Sequence, residues 1–244
     1  MFVKFVKINL TFLLLSLAQP AGAVSLIDSV IVINAGRNGN STKDLLLRVD
    51  KDVLAVKPQI VVMMIGTNDR FNSKKLISID EYERNYQRLI TKIKKQSVLI
   101  LMTIPPVNDR YIILRKPELN LRGNGPNARV DSVNAVIKLL AEKNQCTLLD
   151  LNKILAGCGG AGTDKNDLFQ NETNFGIADG VHPTAAGCRV IAAAVYQTVH
   201  MLKPEAKSVI CFGDSITRGY RLEGEGSTEG QTYPAVLKKI LNLN

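Results

Sequence analysis

The chain has 244 residues, 45% of them hydrophobic and 22% charged, with a formal net charge of +9. That length suits one sizeable core rather than two, and that balance excludes a disordered chain. Trp is absent and aromatics amount to 5%, so no broad stacking surface for sugars or bases is advertised; the Lys and Arg residues are scattered without a recognition stripe, and nucleic acid is not an expected partner.

The first two dozen residues stand apart. Lys4 and Lys7 lead into a short apolar run, residues 8–17, and Pro20 precedes Ala21-Gly22-Ala23. A positive segment, a short apolar core and a small-x-small site describe a signal peptide, residues 1–23, cut after Ala23. The run is too short for a stable bilayer span. A secreted or periplasmic protein is expected, with residues 24–244 as a single domain and no stable membrane insertion after cleavage. No Cys follows the cleavage site, so a bacterial-type lipid anchor is not indicated.

Residues 30–33 form a short β-branched run, followed by a Gly/Asn-rich turn and a helical stretch at 41–54. Residues 59–65 are almost continuously apolar, as in a strand buried on both faces. An amphipathic helix at 80–95 precedes a third strand at 98–103, which Pro105-Pro106 stops. Residues 107–126 read as a polar excursion broken by Pro and Gly. A helix at 128–143, a strand at 146–151 and a helix at 184–201 follow. A polar connector at 203–207 then leads to one more strand, 208–212, to Gly213-Asp214-Ser215, to a Gly/Glu-rich loop and to a helix at 233–241. The alternation predicts an α/β fold, a parallel sheet with helices on both faces. No internal repeat explains the last β–loop–α unit, which reads as displaced. Cys146, Cys158, Cys188 and Cys211 lack metal-ligand spacing. Cys146 and Cys211 lie in apolar runs as buried thiols, while Cys158 and Cys188 could pair in an oxidising compartment.

Four short stretches fall at strand ends or helix starts. Residues 209–217 read Val-Ile-Cys-Phe-Gly-Asp-Ser-Ile-Thr, and residues 34–41 read Asn-Ala-Gly-Arg-Asn-Gly-Asn-Ser. Gly66-Thr67-Asn68-Asp69 follows the second strand, and Asp179-Gly180-Val181-His182-Pro183 precedes the 184–201 helix. Together they resemble the four blocks of the SGNH (GDSL-type) hydrolase family, over nearly the whole chain after residue 23. The resemblance implies a three-layer α/β/α, flavodoxin-like sheet of about five parallel strands in the order 2-1-3-4-5. It also implies a serine esterase that needs neither metal nor organic cofactor. One departure is large: the Gly-Asp-Ser block, first in the family, comes last here. That order is expected of a circular permutation, with the helix ending near Leu241 running back to where the 30–33 strand begins and residues 203–207 closing the older ends. The alternatives are an assembly error or a swapped dimer.

The resemblance makes Ser215 the nucleophile, His182 the base and Asp179 the group that orients it. It supplies oxyanion donors from the backbone N–H groups of Ser215 and Gly39 and from the Asn68 amide. The residues themselves agree with these roles. Ser215 follows a buried strand at the C-terminal sheet edge, where α/β proteins bind ligands. An imidazole takes and returns a proton near neutrality. Of the two histidines, His200 falls in the last turn of a helix, whereas His182 has Asp179 three residues earlier across a glycine. Gly36 reads as a turn residue, and Asp69 and Asp214 as loop braces.

Residues 219–231 and 107–126 are expected to wall the pocket. The first segment carries Glu223, Glu225 and Glu229; the second carries Arg110, Arg115, Lys116 and Arg122. The apolar run at 111–114 either lines an acyl pocket or anchors its loop to the core, with anchoring favoured. The expected substrate is a small-molecule or glycan ester, a short acyl group such as acetyl on a polar alcohol. A lysophospholipase, thioesterase or broad esterase is the alternative within the class, and a non-catalytic glycan-binding module the alternative outside it. A nucleotide site at residues 36–39 lacks both the G-x-G-x-x-G spacing and the lysine of a phosphate-binding loop. The oligomeric state is not written in the chain.

Overall fold

A computed structural model describes residues 29–120 and 125–243. The expected signal peptide, residues 1–23, lies outside the described residues, as does Arg122. The elements in chain order are β1 (Ile31–Gly36), α1 (Thr42–Val49), β2 (Ile60–Met64), α2 (Thr67–Phe71), α3 (Ile79–Ile93), β3 (Val98–Met102), α4 (Asp109–Arg115), α5 (Pro126–Lys143) and β4 (Thr147–Leu149). There follow α6 (Leu151–Gly157), α7 (Glu172–Phe175), α8 (Ala185–Leu202), β5 (Ser208–Gly213), α9 (Ser215–Arg218) and α10 (Tyr233–Leu241).

The five strands are all parallel and lie in the order β1-β5-β2-β3-β4. With the strand before Ser215 counted as first, that order reads 2-1-3-4-5. Burial explains which strands are inside. Every residue of β2, Ile-Val-Val-Met-Met, is buried, as is β5 from Val209 to Gly213. Each such apolar side chain contributes about 2 kcal/mol only if covered on its own face, so both strands need helices above and below. Helices α1, α3 and α5 pack in series as one layer, and α10, α8 and α6 as the other.

Several local readings change. The helical stretch at 41–54 divides into α1 and a π-helical turn at Asp50–Leu54. The excursion at 107–126 contains α4 and a 3₁₀ turn at Pro117–Asn120. Asn108 caps α4 by accepting from the Tyr111 N–H at 3.1 Å, and Tyr111 and Ile112 are buried, which is too brief a pattern to show periodicity. The strand at 146–151 shrinks to β4, because Asp150 accepts from the Lys153 N–H and caps α6. The four cysteines are free thiols: Cys188 is buried while Cys158 is exposed, so the two do not pair, and Cys146 is only half-buried. Gly36 is no turn residue but the end of β1. A Cβ there would stand 2.2 Å from the Arg218 N, so the glycine lets α9 cross directly over the strand.

Arg48 ties the ends of β1 and β5 together. It is 8% exposed, and its guanidinium donates to the Gly213 carbonyl at 2.8 Å, the Ala35 carbonyl at 2.9 Å, Asn40 Oδ1 at 2.7 Å and Asp52 Oδ2 at 2.8 Å. It also lies 4.5 Å from the centre of the Phe212 ring. Replacing it strands buried acceptors two residues from Ser215. Arg48→Met is expected to lower the unfolding free energy by about 3 kcal/mol; a urea titration checks this, and an unchanged midpoint would contradict the assignment.

Candidate active site

Ser215 opens α9 directly after β5. Asp214 caps that turn, its Oδ1 accepting from the Ile216 N–H at 2.9 Å, so the chain bends sharply and sets the serine hydroxyl at the sheet edge. As the first helical residue, Ser215 keeps a backbone N–H with no partner inside the helix. Its Oγ lies 2.9 Å from His182 Nε2, and His182 Nδ1 lies 3.0 Å from each oxygen of Asp179. Three side chains separated by up to 36 positions thus form one line of hydrogen bonds.

The loop before α8 builds the second half of that line. Asp179 Oδ1 accepts from the N–H groups of Val181 at 2.9 Å and His182 at 2.7 Å, folding the carboxylate back under the imidazole. Gly180 makes the fold possible: its φ is +68°, and a Cβ would fall 2.5 Å from that of Asn108. Burial works hardest on Asp179 and favours its neutral form. The His182 hydrogen bond and charge and the two backbone donors outweigh it and hold the carboxyl below its ordinary value. The carboxylate therefore stays ionised beside the ring.

Two further residues at the loop have no signature in the sequence. Gln170, fully buried, donates its backbone N–H to the His182 carbonyl and accepts from the Gly180 N–H, both at 2.8 Å. Its amide nitrogen donates to the carbonyls of Pro183 and Tyr220, both at 3.1 Å. One glutamine thus binds the histidine loop to the loop after Ser215. The Tyr220 ring packs 4.6 Å from the His182 ring, centre to centre, and fixes its plane. A lone Gln in a loop gives a reader of sequence nothing to find.

Gly39 and Asn68 reach the same place from the loops after β1 and β2. Together with Ser215, His182 and Asp179 they line one open cleft of about 600 Å³. Gly39 has φ +71°, which its lack of a Cβ permits. The Asn68 amide spends one N–H on the Asn40 carbonyl at 3.0 Å, which holds its plane and leaves a second donor. His200 is far from this cleft, exposed at the other end of α8 and stacked on Tyr196. Among the described residues, no group of three or more His, Cys, Asp or Glu could hold a metal, and no helix is long and apolar enough to cross a membrane.

Both expected wall segments contribute, though unevenly. Tyr220 and Arg221 come from one, Ile112, Arg115 and Lys116 from the other. Ile112 both anchors its loop and faces the cleft, whereas Leu114 points out, 68% exposed. The glutamates do not line it. Glu225 pairs with Arg218 at 2.8 Å and accepts from Asn38 and from the Arg221 N–H, and Glu229 pairs with Lys238.

Asp69 and Asp214 brace the floor. Asp69 accepts from the Thr42 N–H at 3.0 Å and the Thr42 hydroxyl at 2.5 Å, joining the loop after β2 to α1. Burial pushes both carboxyls up from 3.8 to about 6. A carboxyl whose value is higher folded than unfolded binds its proton more tightly in the folded state. Stability therefore rises as pH falls from above 6 towards 4. Asp44, Asp150 and Asp179 are shifted down, so their contribution is present above 3.8 and lost only below that window. The urea midpoint is expected to be higher at about pH 5 than at about pH 7.5, and Asp69→Asn should flatten the slope; a steeper slope in the variant would refute the assignment.

Residues 18–190 match the GDSL-like Lipase/Acylhydrolase family. An acetylxylan esterase of Geobacillus stearothermophilus is 30% identical over 179 residues, 69% of this chain and 71% of the relative. An uncharacterized lipoprotein, YqeF, of Bacillus subtilis (strain 168) is 28% identical over 66% of this chain and 70% of its own length. Among solved structures, the acetyl xylan esterase AlAXEase superposes with a TM-score of 0.52 and 28% identity, covering 68% of this chain and 79% of that one.

Proposed function

The chain belongs to the GDSL-like lipase/acylhydrolase family and is a carboxylic ester hydrolase, and on that premise we propose that it removes short acyl groups, acetyl foremost, from carbohydrate through a Ser215–His182–Asp179 triad. The observation that carries this reading is the unbroken line of hydrogen bonds from the Ser215 hydroxyl to the Asp179 carboxylate inside an open cleft. With its proton on Nδ1, His182 donates to Asp179, and its Nε2 accepts from Ser215. As Oγ attacks the ester carbonyl, its proton passes to Nε2, and the ionised Asp179 stabilises the imidazolium.

The oxyanion that forms is met by the N–H groups of Ser215 and Gly39 and by the free N–H of Asn68, each donor worth about 3 kcal/mol of transition-state stabilisation. His182 then gives its proton to the departing alcohol oxygen. A water, deprotonated by the same nitrogen, attacks the acyl-enzyme and releases the acid and Ser215. Acetyl on carbohydrate is favoured by the two relatives named as acetylxylan esterases and by a cleft open enough for a chain to lie across. Export is favoured by the residue pattern of 1–23 and by the relative named as a lipoprotein.

The circular permutation belongs to the same proposal. The family match ends at residue 190, before Ser215, yet β5 lies between β1 and β2. Val30 and Asn242, at opposite ends of the described chain, exchange hydrogen bonds of 2.8 and 3.1 Å. Joining residue 242 to residue 30 by a short linker and opening the chain within 203–207 is expected to give a folded, active enzyme. An insoluble or inactive product, set against an equally long linker in the 219–231 loop, would count against the reading.

Ser215→Ala should lower turnover of nitrophenyl acetate by at least about 10⁴-fold while circular dichroism stays unchanged. Near-normal turnover would end the proposal. Across nitrophenyl esters of rising chain length, activity should peak at acetate. A peak at long chains would favour the lipid reading, for which Phe71, Ile112 and Ile177 in the cleft lining speak. Silence throughout would leave the glycan-binding module.

A further inference from the structure

The cleft around Ser215 is lined by three cations, Arg115, Lys116 and Arg221, and by one acid, Asp179, which His182 already engages. Among the described residues none of the three cations has a carboxylate within ion-pair distance. Four basic residues just outside the cleft are paired: Arg37 and Arg48 with Asp52, Arg218 with Glu225, Lys75 with Asp44. The three cations of the cleft lack such partners among the described residues, and their charge faces the space above Ser215.

Two of these charges are held in position. Arg115 donates to the carbonyls of Ala178 and Asp179, and Lys116 to that of Phe71. A carbonyl fixes a cationic head without neutralising it. Arg221 is exposed, with φ +63°, a backbone region that a non-glycine residue adopts only under constraint. Its N–H is fastened to Glu225 Oε2 at 2.9 Å, and its guanidinium lies 4.8 Å over the Tyr220 ring, which packs against His182. A planar guanidinium is thus presented at the cleft wall, one ring away from the proposed base.

Resting on the esterase reading above, we propose that this cleft selects acetyl esters on an acidic glycan, one whose sugars carry carboxylates. Arg221 pairs with the carboxylate of a sugar next to the acetylated one, and Arg115 and Lys116 supply the field that draws the chain in. A guanidinium meets a carboxylate through two parallel N–H donors, a match that a neutral sugar cannot offer. The pairing is exposed, so dissolved salt should weaken it.

The test compares kcat/KM of the enzyme on an O-acetylated oligosaccharide containing uronic acids and on the same oligosaccharide after carboxyl reduction. The acidic substrate should be preferred about tenfold at low salt. The ratio should fall below about threefold in roughly 0.5 M sodium chloride. Arg221→Gln should lower the ratio at low salt, and Arg221→Lys should restore part of it. Equal rates on the two glycans, or a preference that survives Arg221→Gln, overturns the proposal. So does a larger preference for an acetylated phosphate-bearing glycan, which would make the recognised anion a phosphate. Nitrophenyl acetate run on the same samples separates the two readings. Turnover of that ester without discrimination between glycans sinks this proposal alone; no turnover of any ester sinks the esterase reading with it.

Discussion

A strand buried on both faces must have a neighbour on each side and a helix above and below, and β5 satisfies all four demands only between β1 and β2. The remaining geometry follows from that placement. Parallel strands point their C-terminal ends to one edge, so the loops after β1, β2 and β5 open together, bringing Gly39, Asn68 and Ser215 to one cleft. Arg48 locks the register at that edge by binding carbonyls at the ends of both β1 and β5. The histidine comes from elsewhere, on the loop before α8. Its position depends on Gln170, which holds that loop and the one after Ser215 with a single amide.

Three aspartates within this small region behave differently according to how burial balances against the hydrogen bonds and charge of their partners. Asp214 and Asp69 are buried, and although Ile216 and Thr42 donate to them, desolvation prevails, lifting both to about 6. Asp179 is buried too, but two backbone N–H groups and an imidazole converge on it, and it stays charged. In the proposed mechanism that difference separates a carboxylate able to stabilise an imidazolium from two that brace loops.

Much of this was legible in the residues. The apolar run at 59–65 suits a doubly covered strand, and a glycine between Asp179 and His182 lets the carboxylate fold back at the positive φ that position takes. What stayed hidden shares a cause. Helix α4 is seven residues long, shorter than the span over which a 3.6-residue period becomes visible. Gln170 acts through partners 10 to 50 positions away, and no spacing encodes them. The glutamates of residues 219–231 were expected in the pocket wall, but Glu225 is held by Arg218, Asn38 and the Arg221 N–H, and Glu229 by Lys238. Composition cannot show that, because it counts charges without pairing them.

That pairing also explains how a loop's internal structure sets the character of the cleft. Glu225 holds Arg218, the Asn38 side chain and the Arg221 backbone at once, so the segment after Ser215 closes on itself around one carboxylate. The acid that could have neutralised the Arg221 guanidinium is spent on its amide instead. The same contact that shapes the loop therefore leaves the side chain charged and facing the cleft. On the opposite wall, Arg115 at the end of α4 and Lys116 after it bind backbone carbonyls. On the Arg221 side, the shape of the loop and the free guanidinium are thus both results of where Glu225 spends its carboxylate.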